Sequence, residues 1–148
     1  PDKMLVKMPL ETAQMLCTAH RELDGDEYAD SVGLYKRAYW NHPCTIWARE
    51  CNENYSWLYA HFLALGMEYT YRYGKEHASI TKLAKPLMHF PKNIKRGKMT
   101  TVAQAMPDQY KNKDPIKAYR AYCINEKTYA QWNKNRAKPI WWTQEAVA

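Results

Sequence analysis

NHPCTIWARECNENYSWLYAHFLALGMEYTYRYG, residues 41–74, decides the fold. Trp47, Cys51, Tyr55, Leu58, Phe62, Leu65, Tyr69 and Tyr73 advance by three or four residues, so one apolar stripe follows a helical period over seven turns and faces a core. The start is marked by Asn41 or His42 as cap and by Pro43, whose fixed φ suits the first helical position. Gly74 is a natural stop. CNEN (51–54) marks a candidate break into two helices. Glu68 and Arg72 stand four apart, a pairing worth a few tenths of a kcal/mol.

Downstream, HASITKLAKPLMHF reads as a short helix ending near Pro86, and PKNIKRGKMTT (91–101) as a basic loop. DPIKAYRAYCINEKTYAQW reads as a helix, with Asp114 as cap and Pro115 in the first turn. NKNRAKPIWW is basic, then aromatic. Upstream, Met4, Leu5, Met8, Thr12, Met15, Leu16 and Ala19 predict a helix from about Asp2 to about His20. Pro9 cannot donate its backbone hydrogen bond, which predicts a kink in that helix. ELDGDEYAD (22–30) reads as an acidic loop or short turn, and SVGLYKRAYW (31–40) is ambiguous between helix and loop. There is no repeat and little strand signal. The expectation is a single all-α domain over 1–148, with about four to five helices and long loops.

Composition narrows the class. With 46% hydrophobic and 25% charged residues the chain is globular rather than disordered, and charges interrupt every apolar stretch too often for a bilayer span. No signal peptide is visible. Cys17, Cys44, Cys51 and Cys123 show no metal-ligand spacing and no histidines cluster around them. Four free thiols in a reducing compartment are expected, with no metal and no cofactor. The formal charge of +7 is uneven: residues 1–74 hold seven Lys and Arg against ten Asp and Glu, residues 75–148 fifteen against five. Such a basic half suits a polyanion, because phosphate neutralisation releases counterions; a basic surface without a partner is the plainer alternative. Twelve Tyr and six Trp against two Phe favour rings with one wet edge, as in a groove that stacks on bases.

Lys92, Lys95, Arg96 and Lys98 of the basic loop, together with Lys111, Lys113, Lys117, Arg120, Lys127, Lys134, Arg136 and Lys138, are candidate phosphate contacts as a set. Trp141 and Trp142 read either as stacking residues for a displaced base or as an apolar cap on the first helix. Glu11 reads either as a solvated residue on the polar face of the first helix or as a carboxylate placed at its bend.

DKMLVKMPLETAQML resembles the first helix of the phage endonuclease V family of pyrimidine-dimer DNA glycosylases: an Asp opens the helix and a Glu follows nine residues on, beside a Pro, as Asp2 and Glu11 do here. KMPLETAQMLCTAH, NHPCTIWARE, NENYSWLYAHF and EYTYRYGK also resemble phage proteins described as glycosylase-like, over most of the chain. The resemblance implies a DNA-repair glycosylase and abasic-site lyase that binds and kinks duplex DNA. An α-amine attacks the sugar C1′, a Schiff base forms, the base leaves and β-elimination nicks the strand. Glu11 would stabilise the positive charge developing on the sugar and help move protons. Met4 occupies the family's His position, and only Pro1 precedes Asp2, where the family has about ten residues carrying the amine. Ten residues of helix put the Pro1 nitrogen about 15 Å from Glu11, so either the sequence is that of a trimmed protein or this route of catalysis is not available to it.

The same motifs offer His42, Arg49, Asn54, Tyr71 and Arg72 as DNA contacts, Arg49 and Asn54 for a phosphate or a base edge and Tyr71 because it points away from the Tyr69–Tyr73 stripe. The expected partner is duplex DNA, with no membrane, in the reducing cytoplasm of an infected host cell. The competing readings are a non-catalytic module binding nucleic acid or a host protein, and a virion or assembly protein.

Overall fold

Every regular element formed by residues 1–143, the part of the chain that the computed structural model describes, is helical. α1 spans Asp2–Asp24, α2 Glu27–Ser31, α3 Pro43–Glu50, α4 Asn52–Tyr73, α5 Ala78–Leu87 and α6 Pro115–Glu126; a single 3₁₀ turn covers Asp108–Tyr110. The fold is all-α and compact, with six α-helices among the described residues instead of four to five. Residues 144–148 lie outside the described part.

α1 and α4 are the two long helices, and α3 and α5 complete the shell around them. The core lies where they meet: Ala13, Leu16, Cys17 and Ala19 of α1 face Tyr55, Leu58 and Phe62 of α4, closed by Trp47 and Ala48 of α3 and Leu83 and Leu87 of α5. Each large apolar side chain buried there contributes about 1.5–3 kcal/mol. Six residues of the expected stripe are buried, and Leu65 and Tyr73 are partly so. Gly66 lets α5 approach α4: a Cβ on it would stand 2.5 Å from Ile80 Cδ1.

The stripe divides at Cys51, whose extended backbone (φ −157°, ψ 164°) separates α3 from α4. His42 caps α3, with Cys44 N–H donating to His42 Nδ1 at 3.1 Å, and Pro43 takes the first position. α4 ends at Gly74 in the left-handed conformation (φ 70°), which glycine adopts without the Cβ penalty.

Three boundaries differ from the sequence reading. α1 contains Pro9 and continues to Asp24 instead of ending near His20, because its last turn is held by Arg21. Arg21 is only 2% exposed; it donates to the carbonyls of Leu34 and Tyr35 and pairs with Asp26 and Asp30. The acidic stretch is thus the end of α1 plus α2, folded around a buried guanidinium. α6 stops at Glu126, short of Trp132, because the chain beyond it docks on the start of α1. Asp2 N–H donates to Gln131 O at 2.9 Å, and Asp2 Oδ2 accepts Asn133 N–H at 2.6 Å.

Candidate nucleic-acid interface

Glu11 lies mid-way along α1 on the side facing the start of α3. Its carboxylate is partly exposed and stands 3.7 Å from Lys7 Nζ one turn earlier. The turn after Ala38 brings Tyr39 and His42 opposite, so Glu11 and His42, 31 positions apart in sequence, line one cavity of about 350 Å³. Gln14, Met15, Cys44 and Thr45 complete its wall. His42 Nδ1 is occupied by the Cys44 amide, so in the neutral ring the proton sits on Nε2, which is left to act as a donor. Cys44 touches Ala103 O and the Tyr119 hydroxyl, at 3.9 and 3.8 Å from its sulfur. The ribbon that follows the basic loop therefore ends against this wall. Burial raises the Cys44 thiol and lifts the Tyr119 phenol to about 12, so neither group ionises near neutral pH.

The basic loop is irregular but held at many points. Asp24 accepts the amides of Lys92 at 2.7 Å and Asn93 at 2.9 Å. Asn52 N–H donates to Lys95 O, and Asn52 Oδ1 accepts the Gly97 amide, both at 2.9 Å. The Cys51 thiol donates to Lys98 O, and Glu53 accepts the Met99 amide. All these anchors engage backbone. The side chains of Lys92, Lys95, Arg96 and Lys98 are exposed and make no ion pair among the described residues. The result is a strip of cations on a backbone that is already ordered before it meets a polyanion.

Asn54 is corrected from a base-edge contact to a structural clamp. It is fully buried; its amide donates to Trp47 O and to Thr100 Oγ1, both at 2.9 Å, and accepts the Thr100 N–H at 3.0 Å. Both amide hydrogens are spent inside the protein and the side chain is sealed from solvent, so it cannot read a base. Arg49 is half-buried, with Nη1 directed inward and without a protein partner. Arg72 is likewise committed, to Asp2 at 3.0 Å and Glu68 at 2.9 Å. Arg136 grips Glu68 with two nitrogens, at 2.7 and 3.0 Å, and lies 4.1 Å over the ring of the exposed Tyr71. The hydrogen bond from Arg136, then that from Arg72, holds the Glu68 carboxyl below its ordinary range. These residues strap the 131–136 segment to α1 and α4.

Trp142 is buried and packs edge-on against Trp132 at 4.8 Å, so it is a packing residue and not a stacking one. Trp141 is half-buried, with the Arg120 guanidinium 4.9 Å over its ring. Of the expected site residues, the fold brings together Glu11 with His42 at the cavity and Lys92, Lys95, Arg96 and Lys98 along the loop. Sequence reasoning missed Gln14 and Tyr39. Gln14 was findable, because it stands three residues after Glu11 and so shares its face. Among the described residues no cluster of His, Cys, Asp and Glu could hold a metal ion, and no helix is long and apolar enough to cross a membrane. Comparison of the chain with known protein families, with curated proteins and with solved structures finds no match.

Proposed function

We propose that this chain is the body of a DNA-repair glycosylase and abasic-site lyase of phage type, acting on damaged pyrimidines in duplex DNA. The single observation behind this reading is the convergence of Glu11 and His42 on one surface cavity. A carboxylate there stabilises the positive charge that develops at the sugar C1′ as the base departs. His42 Nε2–H donates a proton to the leaving base or to a phosphate oxygen. The free cations of the basic loop supply the salt-dependent grip on the duplex. The attacking group in this reading is an α-amine, and the helix puts the Pro1 nitrogen about 15 Å from Glu11.

Trapping with borohydride on abasic-site DNA tests this, using protein expressed with its native N-terminus. A covalent adduct is expected in the parent. Glu11→Gln should lower strand nicking by about 10²-fold or more while keeping DNA affinity and folding, because an exposed Lys–Glu pair is worth under about 1 kcal/mol. Parent-like nicking by Glu11→Gln would overturn the assignment of Glu11. Met4, at the position where the family carries a His, favours one second reading, a DNA-binding module without chemistry; binding that falls steeply with salt, with no adduct and no nicking, identifies it.

A further inference from the structure

Two large rings stand in solvent on the turn that leads into the Glu11–His42 cavity, and Tyr39 is part of the cavity wall. Tyr39 is 76% exposed and Trp40, its neighbour, 55%. Leaving both outside the core forgoes the burial that rings of this size normally gain. Tyr39 also adopts a left-handed backbone (φ 47°), which is unusual for a bulky residue and carries a conformational cost. The turn is nonetheless pinned on both sides. Before it, Ala38 N–H donates to Thr18 Oγ1 at 3.1 Å; after it, His42 N–H donates to Tyr39 O at 2.9 Å, and His42 is fixed in turn as the cap of α3. A strained, firmly anchored turn that carries two adjacent rings outward is a rigid tip.

We infer that the Tyr39–Trp40 turn is a stacking wedge that enters an opened base step of duplex DNA beside the Glu11–His42 cavity. The inference rests on the DNA reading above and adds the element that parts the bases. Size decides against a docking patch for a protein, because a stable protein interface buries about 800 Å² on each partner and two side chains supply only about 150–250 Å² each. Flat rings on a narrow tip match one base step, where stacking works on any base because every base has a π-face. Because the turn is already ordered, insertion gains stacking without an ordering cost. Tyr39 also lines the cavity wall, so the opened step lies against the carboxylate.

The test uses the full chain and two duplexes, one intact and one with 2-aminopurine beside an abasic site. Parent protein should quench the 2-aminopurine fluorescence several-fold, as a ring of the wedge stacks on that base in the gap beside it. Combining Tyr39→Gly with Trp40→Ala should return the signal to that of free duplex and weaken binding to the abasic-site duplex by about tenfold. Affinity for intact duplex at the same salt should change less than about threefold, since the phosphate contacts lie elsewhere. Glycine accepts φ 47° freely, so melting of the variant should match or exceed that of the parent. A parent-like signal from the double variant overturns the wedge, as does a parent that binds the abasic-site duplex without any quenching. Failure of the parent to retard DNA at low salt overturns the DNA reading itself, which separates the two failures.

Discussion

In residues 1–74, five of seven Lys and Arg are ion-paired among the described residues: Lys7, Arg21, Lys36, Arg37 and Arg72. Beyond residue 74, two of fifteen are, Lys111 and Arg136. The acidic N-terminal half pairs most of its own cations, and two of its arginines act as fasteners: Arg21 closes α1 on α2, and Arg72 ties α1 to α4. The basic C-terminal half has few acids to pair with and shows its cations to solvent. Net charge alone would make both halves look like charged surfaces. The difference lies in whether a cation already has a carboxylate, and by that measure the surface open to a polyanion is the second half.

The contrast can be broken most severely at Arg21. Arg21→Met should cost about 3 kcal/mol, because the buried Leu34 carbonyl and the part-buried Tyr35 carbonyl lose their donor and Asp26 and Asp30 each lose one of two cationic partners. Urea denaturation measures this, and a loss below about 1 kcal/mol would remove the distinction between the halves. Asn54, where the halves meet, comes next. Asn54→Ala should cost about 2–3 kcal/mol by leaving the Thr100 amide and Trp47 carbonyl unpaired, and should loosen the basic loop to hydrogen exchange.

A third variant, Arg136→Ala, acts through pH. The Glu68 carboxyl is held below its ordinary 4.5 when folded, so its contribution is complete above that value and is lost as pH falls through the depressed folded value. Parent and variant should differ in thermal midpoint at neutral pH and converge in acid; a constant difference down to about pH 2 would exclude the strap. The smallest change in stability belongs to the loop. Replacing Lys92, Lys95, Arg96 and Lys98 together by Ala should leave stability within about 0.5 kcal/mol per site. It should also reduce the slope of log affinity against log salt by up to about 0.9 for each phosphate no longer neutralised.

Local rules made much of the fold legible. Periodicity set the burying face of α4, Pro43 and Asp114 marked two helix starts, and Gly74 marked a stop. The end of α6 was not legible, because KTYAQW continues an acceptable helical pattern and what halts it is Asp2, far away in the chain. The same limit applies to the site. Asn54, Arg72 and Trp142 looked like contacts because a polar or aromatic residue near a helix end has the same local signature whether it meets a ligand or a distant segment. Their partners, Thr100, Asp2 and Trp132, become neighbours only in the folded chain. Glu11 and His42 were each legible as candidates, but their shared cavity was not.

The loop at 91–98 is gripped by its amides and carbonyls, through Asp24, Asn52, Glu53 and the Cys51 thiol, and hardly at all through its own lysines and arginine. The identity of those side chains is therefore uncoupled from folding. Cation number and spacing could be rewritten along this strip, or reversed in sign, while the helices beneath it stay as they are, which makes the loop a natural place to retune affinity without touching the scaffold.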